Sequence, residues 1–174
     1  MRSEFSLETK RLFLVPLPPE ALMLCRNGRH MMERSLGLEV TRLDRDPPEI
    51  QKALEEMIGR TLESPSEWKW NTNWEIVSKA LNRIIGGCAF YGPPDGGAVC
   101  EIAYVIQEPF RGKGYAAEAV DALCEWAFAN GAKTVRAEVE TDNLPSANML
   151  KKISFSPTGS PGEGVTVYER SRRN

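Results

Sequence analysis

Glu101-Ile-Ala-Tyr-Val-Ile-Gln-Glu-Pro-Phe-Arg-Gly-Lys-Gly-Tyr-Ala-Ala-Glu-Ala-Val120 is the stretch around which the rest of the chain is read. Residues 101–107 are apolar, β-branched and aromatic, the composition of a buried strand, and Pro109 closes it. Arg111-Gly-Lys-Gly114 puts glycine where the backbone must turn tightly, and from Tyr115 apolar residues recur at helical spacing. A glycine-bearing turn that opens a helix aims several N–H groups at one spot, with the positive end of the helix dipole behind them. Such a turn is an anion site, and phosphate is the usual anion.

Toward the C-terminus, the spacing predicts a helix over 116–129. Ala116, Val120, Leu123, Ala127 and Phe128 form its buried face, and Glu118, Asp121 and Glu125 its wet one. Asn130-Gly131 caps it. Residues 133–140 alternate Val135, Ala137 and Val139 with Arg136, Glu138 and Glu140, which is a strand, and a strand–helix–strand passage sets the two strands parallel. Asp142-Asn-Leu-Pro-Ser146 opens a short helix to about residue 153, and strands over 155–158 and 165–170 follow around a Gly/Pro/Ser loop.

Toward the N-terminus, strands over 74–79 and 83–91 meet at the turn Ala80-Leu-Asn82. Gly92-Pro-Pro-Asp-Gly-Gly97 then leads into 98–107, so a three-stranded antiparallel meander is expected. Trp68, Trp70 and Trp74 cluster just before it; packing is the first reading, since aromatics mainly serve burial, and the wall of an acceptor pocket is the second. Asp46-Pro-Pro-Glu49 supplies an N-cap acid, a proline and a first-turn glutamate. Ile50, Leu54, Met57, Ile58 and Thr61 or Leu62 then share one face of an amphipathic helix ending near Ser64-Pro65. Residues 7–17 read as a first strand and 18–25 as a helix stopped by Asn27-Gly28, while a further short helix over 31–36 is left open.

A length of 174 residues points to one domain over 1–174. Hydrophobic residues at 41% supply a full core, and a net charge of −2 gives no electrostatic footprint for nucleic acid. Arg170, Arg172 and Arg173 make a small basic tail, read as a solvated one. Cys25, Cys88, Cys100 and Cys124 lie far apart, and a single histidine, His30, completes no ordinary zinc spacing. Free thiols and no metal are expected. The first ten residues are too polar for a signal peptide, and no apolar run approaches the roughly 20 residues that cross a bilayer. A soluble cytoplasmic chain without membrane partners is the expectation.

The order of elements resembles the GNAT acyltransferase fold. That fold is an α+β arrangement, a mixed and mostly antiparallel sheet of about six to seven strands splayed around a central parallel pair and flanked by about four helices. Arg111-Gly-Lys-Gly-Tyr-Ala116 is similar to the family's Arg/Gln-x-x-Gly-x-Gly/Ala pyrophosphate loop. Glu138-Val-Glu-Thr-Asp-Asn-Leu-Pro-Ser146 through Lys151-Lys-Ile-Ser-Phe155 is similar to its Asn-x-x-Ser helix ending in Lys-x-Gly-Phe. Glu8-Thr-Lys-Arg-Leu12 and Glu101-Ile-Ala-Tyr104 resemble the ribosomal-protein-acetylating, RimJ/RimL-like branch. The likeness runs over about residues 7–170.

The resemblance implies an N-acetyltransferase that uses acetyl-CoA as cosubstrate and transfers directly to a primary amine. Arg111, Gly112, Lys113, Gly114, Tyr115 and Ala116 would cradle the pyrophosphate. Tyr104, Val105 and Ile106 would face the pantetheine arm, with a backbone N–H near Ile106 stabilising the oxyanion. Asn143 would hydrogen-bond the arm, and Ser146 would donate to the departing thiolate. A protonated amine needs a base, and the family's patterns offer two candidates, Glu101 and Glu138. Leu150 replaces the tyrosine that many relatives use to protonate the thiolate. Ser154 replaces a glycine, and Ser156-Pro157 is expected to break the strand that begins there. The acceptor is a protein or peptide amine, from the branch resemblance, or a small-molecule amine such as a polyamine, amino acid or aminoglycoside. A basic acceptor would want acids such as Glu49, Glu55 and Glu56, which a solvated helix face explains equally. A non-catalytic acyl-CoA sensor is the alternative, and dimerisation through strand edges or the tryptophans is left open.

Overall fold

Residues 7–17, expected as one strand, form two. β1 (Leu7–Glu8) and β2 (Leu12–Pro16) pair antiparallel with Leu7 opposite Leu14. Thr9 causes the break, because its Oγ1 accepts the Leu12 N–H at 3.1 Å while its own N–H donates to the Leu12 carbonyl at 3.0 Å. A threonine hydroxyl offers the backbone a turn in place of a ladder. This computed structural model describes residues 5–43 and 46–173, so the reading of the extreme N-terminus falls partly outside the described residues. The chain divides into two units, Met1–Ala89 and Phe90–Asn174.

In the first unit the strand order is β1-β2-β3-β4, all antiparallel, with β3 at Asn73–Ser78 and β4 at Arg83–Phe90. Three helices accompany it: α1 (Pro19–Arg26), α2 (Arg29–Ser35) and α3 (Pro48–Glu63). α1 starts on proline, whose missing N–H costs nothing in a first turn. α2 is the short helix the sequence left open. Leu17, Leu22, Met32, Ile58, Val77 and Ile84 form one buried cluster, each worth about 1.5–3 kcal/mol of apolar burial. α3 differs from expectation at two points. Pro47, not Asp46, stands at its N-cap and no side chain caps it, because Asp46 pairs instead with Arg42. Ile50 and Leu62 are 53% and 51% exposed, so the buried stripe narrows to Ile58 and Thr61 with Leu54 and Met57 beside the core. Trp70 and Trp74 are core residues, and the Trp74 indole donates to the Lys69 carbonyl at 2.8 Å.

The second unit contains β5 (Val99–Ile106), α4 (Tyr115–Ala129), β6 (Thr134–Glu140), α5 (Leu144–Lys152), β7 (Ser156–Gly162) and β8 (Val165–Ser171). Its strand order is β5-β6-β8-β7, with β5 and β6 parallel and the remaining pairs antiparallel. α4 packs on β5, β6 and α5, burying Val120, Leu123 and Ala127 as its spacing predicts. Ser156-Pro157 does not end β7. The strand continues to Gly162 with register shifts after Pro157 and Gly159, which an edge strand absorbs because only one side of it must pair. The described strands and α-helices number eight and five, where six to seven and four were expected; the β1 turn and α2 belong to the difference. The class itself stands: α+β, mostly antiparallel, with one parallel pair.

Candidate functional site

The parallel pair opens. β5 and β6 stay in register from Val99↔Thr134 to Glu101↔Arg136, and there the pairing ends, although β5 runs on to Ile106 and β6 to Glu140. Over residues 102–106 and 137–140 the two facing edges therefore lack one another's hydrogen bonds. An extended ligand can add itself to such an edge as a strand does. Along this part of β5, Ile102 and Ile106 are buried and Val105 is 59% exposed, as period-two alternation requires.

Just beyond β5, Gly112 and Gly114 adopt φ of +72° and +78°. A Cβ on Gly112 would meet no protein atom within 4 Å, so the left-handed backbone demands glycine here and the space beside it is open. Gly114 is the N-cap of α4, no side chain caps that end, and the Glu118 N–H returns to the Gly114 carbonyl at 3.2 Å. The first-turn N–H groups of α4 have no intrahelical acceptors, which leaves them to an anion. The loop's cationic side chains fold back to brace it. Arg111 Nε donates to the Ile106 carbonyl at 2.9 Å and Lys113 Nζ to the Pro109 carbonyl at 3.1 Å. Backbone, more than side-chain charge, is what this loop presents. Tyr115 and Ala116, half-buried, begin the helix behind it.

Asn143 caps α5: its Oδ1 accepts the Ser146 N–H at 3.2 Å, which leaves its Nδ2 donor uncommitted to the cap. The cap takes only the backbone N–H of Ser146. Its hydroxyl is hydrogen-bonded to the Tyr104 hydroxyl, joining α5 to the opened part of β5. Both residues stand out in the sequence, but nothing along the chain couples positions so far apart. Leu150 is fully buried, so its place in α5 is one of packing.

Glu101 lies half-buried at the last paired position of β5, and Glu138 is exposed on β6 two residues beyond Arg136. Burial, helped by the negative charge of Glu138, pushes the Glu101 carboxyl above its ordinary value, and Arg136 opposes the rise. Arg136 does not pair with either glutamate. It donates through Nε and Nη2 to Glu169 Oε1 at 2.9 and 2.8 Å. Cys100 and Cys124 are free, and burial pushes both thiols up to about 12, which removes them as nucleophiles at neutral pH.

Comparison with known proteins places residues 11–156 in a match to the acetyltransferase (GNAT) domain. The uncharacterized N-acetyltransferase YjdG of Bacillus subtilis (strain 168) is 37% identical over 84 residues, 48% of this chain and 50% of that protein. The chain thus spans about half the length of the curated relatives it matches. Among solved structures, the ribosomal-protein-S5-alanine acetyltransferase from Vibrio fischeri superposes with a TM-score of 0.69 at 16% identity, covering 97% of both chains. The ribosomal L7/L12 α-N-protein acetyltransferase RimL, solved with coenzyme A, gives a TM-score of 0.66 at 15% identity, covering 96% of this chain and 98% of that one. At those identities the likeness is one of fold.

Proposed function

The chain belongs to the GNAT acetyltransferase family, and from that premise we propose that it is an acetyl-CoA-dependent N-acetyltransferase acting directly on a primary amine. The observation that carries this reading is the parallel pair that parts after Glu101↔Arg136, directly before a glycine turn that opens α4. We read residues 1–174 as one such domain, because the family match runs across both units.

Bound acetyl-CoA supplies an activated thioester. The N–H groups from Gly112 to Ala116 hold its pyrophosphate, and Gly112 fits because its missing Cβ leaves open space. Residues 104–106 of β5 offer backbone to the pantetheine arm, and the free Nδ2 of Asn143 donates to it. Glu101 takes the proton of the attacking amine, directly or through water. It suits that role better than exposed Glu138 because its raised pKa brings its basicity nearer to neutral pH. With Leu150 supplying no hydroxyl, the Tyr104–Ser146 pair holds the proton that the departing thiolate needs. A protein or peptide N-terminus is the acceptor favoured by the fold-level likeness to ribosomal-protein acetyltransferases. A cytoplasmic setting agrees with four free thiols and with the absence, among the described residues, of any helix long and apolar enough to cross a membrane.

The test is acetyl-CoA-dependent CoA release over pools of peptide N-termini, polyamines, amino acids and aminoglycosides, followed by mass spectrometry. Turnover in one pool that is lost in Glu101→Gln and reduced in Tyr104→Phe supports the reading. Tight acetyl-CoA binding without turnover in any pool would turn it toward a sensor that kept only the cleft.

A further inference from the structure

Of the basic tail, Arg172 and Arg173 are exposed as expected, but Arg170 is not part of a solvated fringe. Arg170 is buried on β8, with Nη1 on Asp121 and Nη2 on Glu125 at 2.6 Å each and its guanidinium 5.8 Å from the Phe128 ring. Around this knot lies a cavity of about 670 Å³, lined from the second half of α4, the end of α5 and the end of β8. Its two carboxylates are both engaged by Arg170. Its other charged groups, Lys152, Arg172 and Arg173, have no acid partner among the described residues. Lys152 faces the carbonyl end of its own helix, which offsets part of its charge, so the two arginines dominate.

Ser154 strengthens this reading. It holds φ at +70°, a left-handed conformation that costs a non-glycine residue about 1 kcal/mol, at a position where the family pattern has glycine. What the serine adds is its hydroxyl, which accepts from Arg173 Nη2 at 3.0 Å and fixes that guanidinium at the cavity.

We propose that this cavity is a second anion site, shaped for a small phosphate-bearing molecule and separate from the glycine turn. Two planar guanidiniums and an ammonium are the donor set that phosphate oxygens require. The volume exceeds a bare ion, and most of the lining is exposed, so the site is an open groove that a small ligand reaches from solvent. The site lies at the far end of α4 from Gly114, and a helical rise of 1.5 Å per residue puts Phe128 about 20 Å from Tyr115.

Pyrophosphate is the probe, titrated at constant ionic strength into the 15N-labelled full chain and followed by amide chemical shifts. Saturable shifts at residues 152–154 and 171–173 are expected, distinct from any at 112–116. In the double variant Arg172→Ala/Arg173→Ala, the dissociation constant read at 152–154 should rise about tenfold, as loss of charge-assisted hydrogen bonds implies, while shifts at 112–116 stay. Shifts confined to 112–116 would overturn the proposal, as would shifts at 152–173 that sodium chloride reproduces or that the double variant leaves intact.

Discussion

A carboxylate accepts a proton from an amine only while it is ionised, so if Glu101 is the base, as proposed, its pKa sets the acid limb of the rate. Burial and the neighbouring charge of Glu138 both raise that pKa, and activity should therefore decline with falling pH earlier than an ordinary glutamate would allow. Glu138→Gln removes the like charge and should move the limb to lower pH with little loss of maximal rate. Glu101→Gln should lower kcat by about 10²–10³-fold and abolish the limb. Profiles of kcat/KM against pH for the three proteins test this, and a limb that stays put in Glu138→Gln contradicts the coupling. Ser154 offers a stability test at the same scale. Ser154→Gly relieves the left-handed backbone and should gain up to about 1 kcal/mol in urea unfolding, less what the Arg173 contact contributed. The glycine turn and the Asn143 cap are legible because glycine and asparagine leave local signatures, whereas Glu101 and Glu138 are singled out by the family likeness alone. The Tyr104–Ser146 contact is not legible, since the fold alone brings those two together.

Elements were read best where one local force dominates. The alternation of residues 133–140 and the apolar spacing of α4 became β6 and α4 almost to the residue, because each pattern suits only one period. Reading failed where side chains or topology decide: Thr9 split the first strand, Arg42 drew Asp46 from the α3 cap, and an edge position let β7 carry Pro157. The splay of β5 from β6 was implied only by the family likeness, as no strand pattern records where a neighbour departs. Two substitutions probe the elements that frame it. Gly112→Ala forces φ of +72° on alanine and adds a methyl to open space, so stability should fall by about 1 kcal/mol while KM for acetyl-CoA rises about tenfold. Asn143→Ala removes the α5 cap and should cost about 1 kcal/mol, with KM rising and kcat largely kept. Thermal melts beside steady-state kinetics separate the two contributions, and an unchanged KM in both variants contradicts the placement of the donor.

For the folded chain as a whole, a net charge of only −2 creates little self-repulsion near neutral pH, so the pH dependence of its stability must come from individual buried groups. The first unit holds the strongest candidate. Glu75 on β3 and Glu33 on α2 are both buried, and Arg29 lies between them, 2.7 Å from Glu75 and 3.6 Å from Glu33. Glu33 is also held by the Thr41 N–H at 3.0 Å and the Thr41 hydroxyl. Burial raises the Glu75 pKa, Arg29 pulls it down, and Glu33 adds to the rise. A carboxyl whose folded pKa exceeds its unfolded one contributes most to stability below the unfolded value, and that contribution is lost as pH rises through the folded value. Arg29→Met keeps the apolar stem but removes the one opposing charge, leaving two buried carboxylates to face each other. At neutral pH the loss should be about 3–5 kcal/mol, the usual result of stripping one partner from a buried ion pair. Protonation of Glu75, whose carboxyl burial already pushes up, relieves it, so the variant should be more stable near pH 5 than near pH 8 and more strongly pH-dependent than the wild type. Urea midpoints for both proteins at the two pH values decide the matter. A variant whose midpoint stays level or climbs with pH would show that the folded state keeps these carboxylates charged without Arg29, and that Arg29 is not the counter-charge that lets two acids sit inside this core.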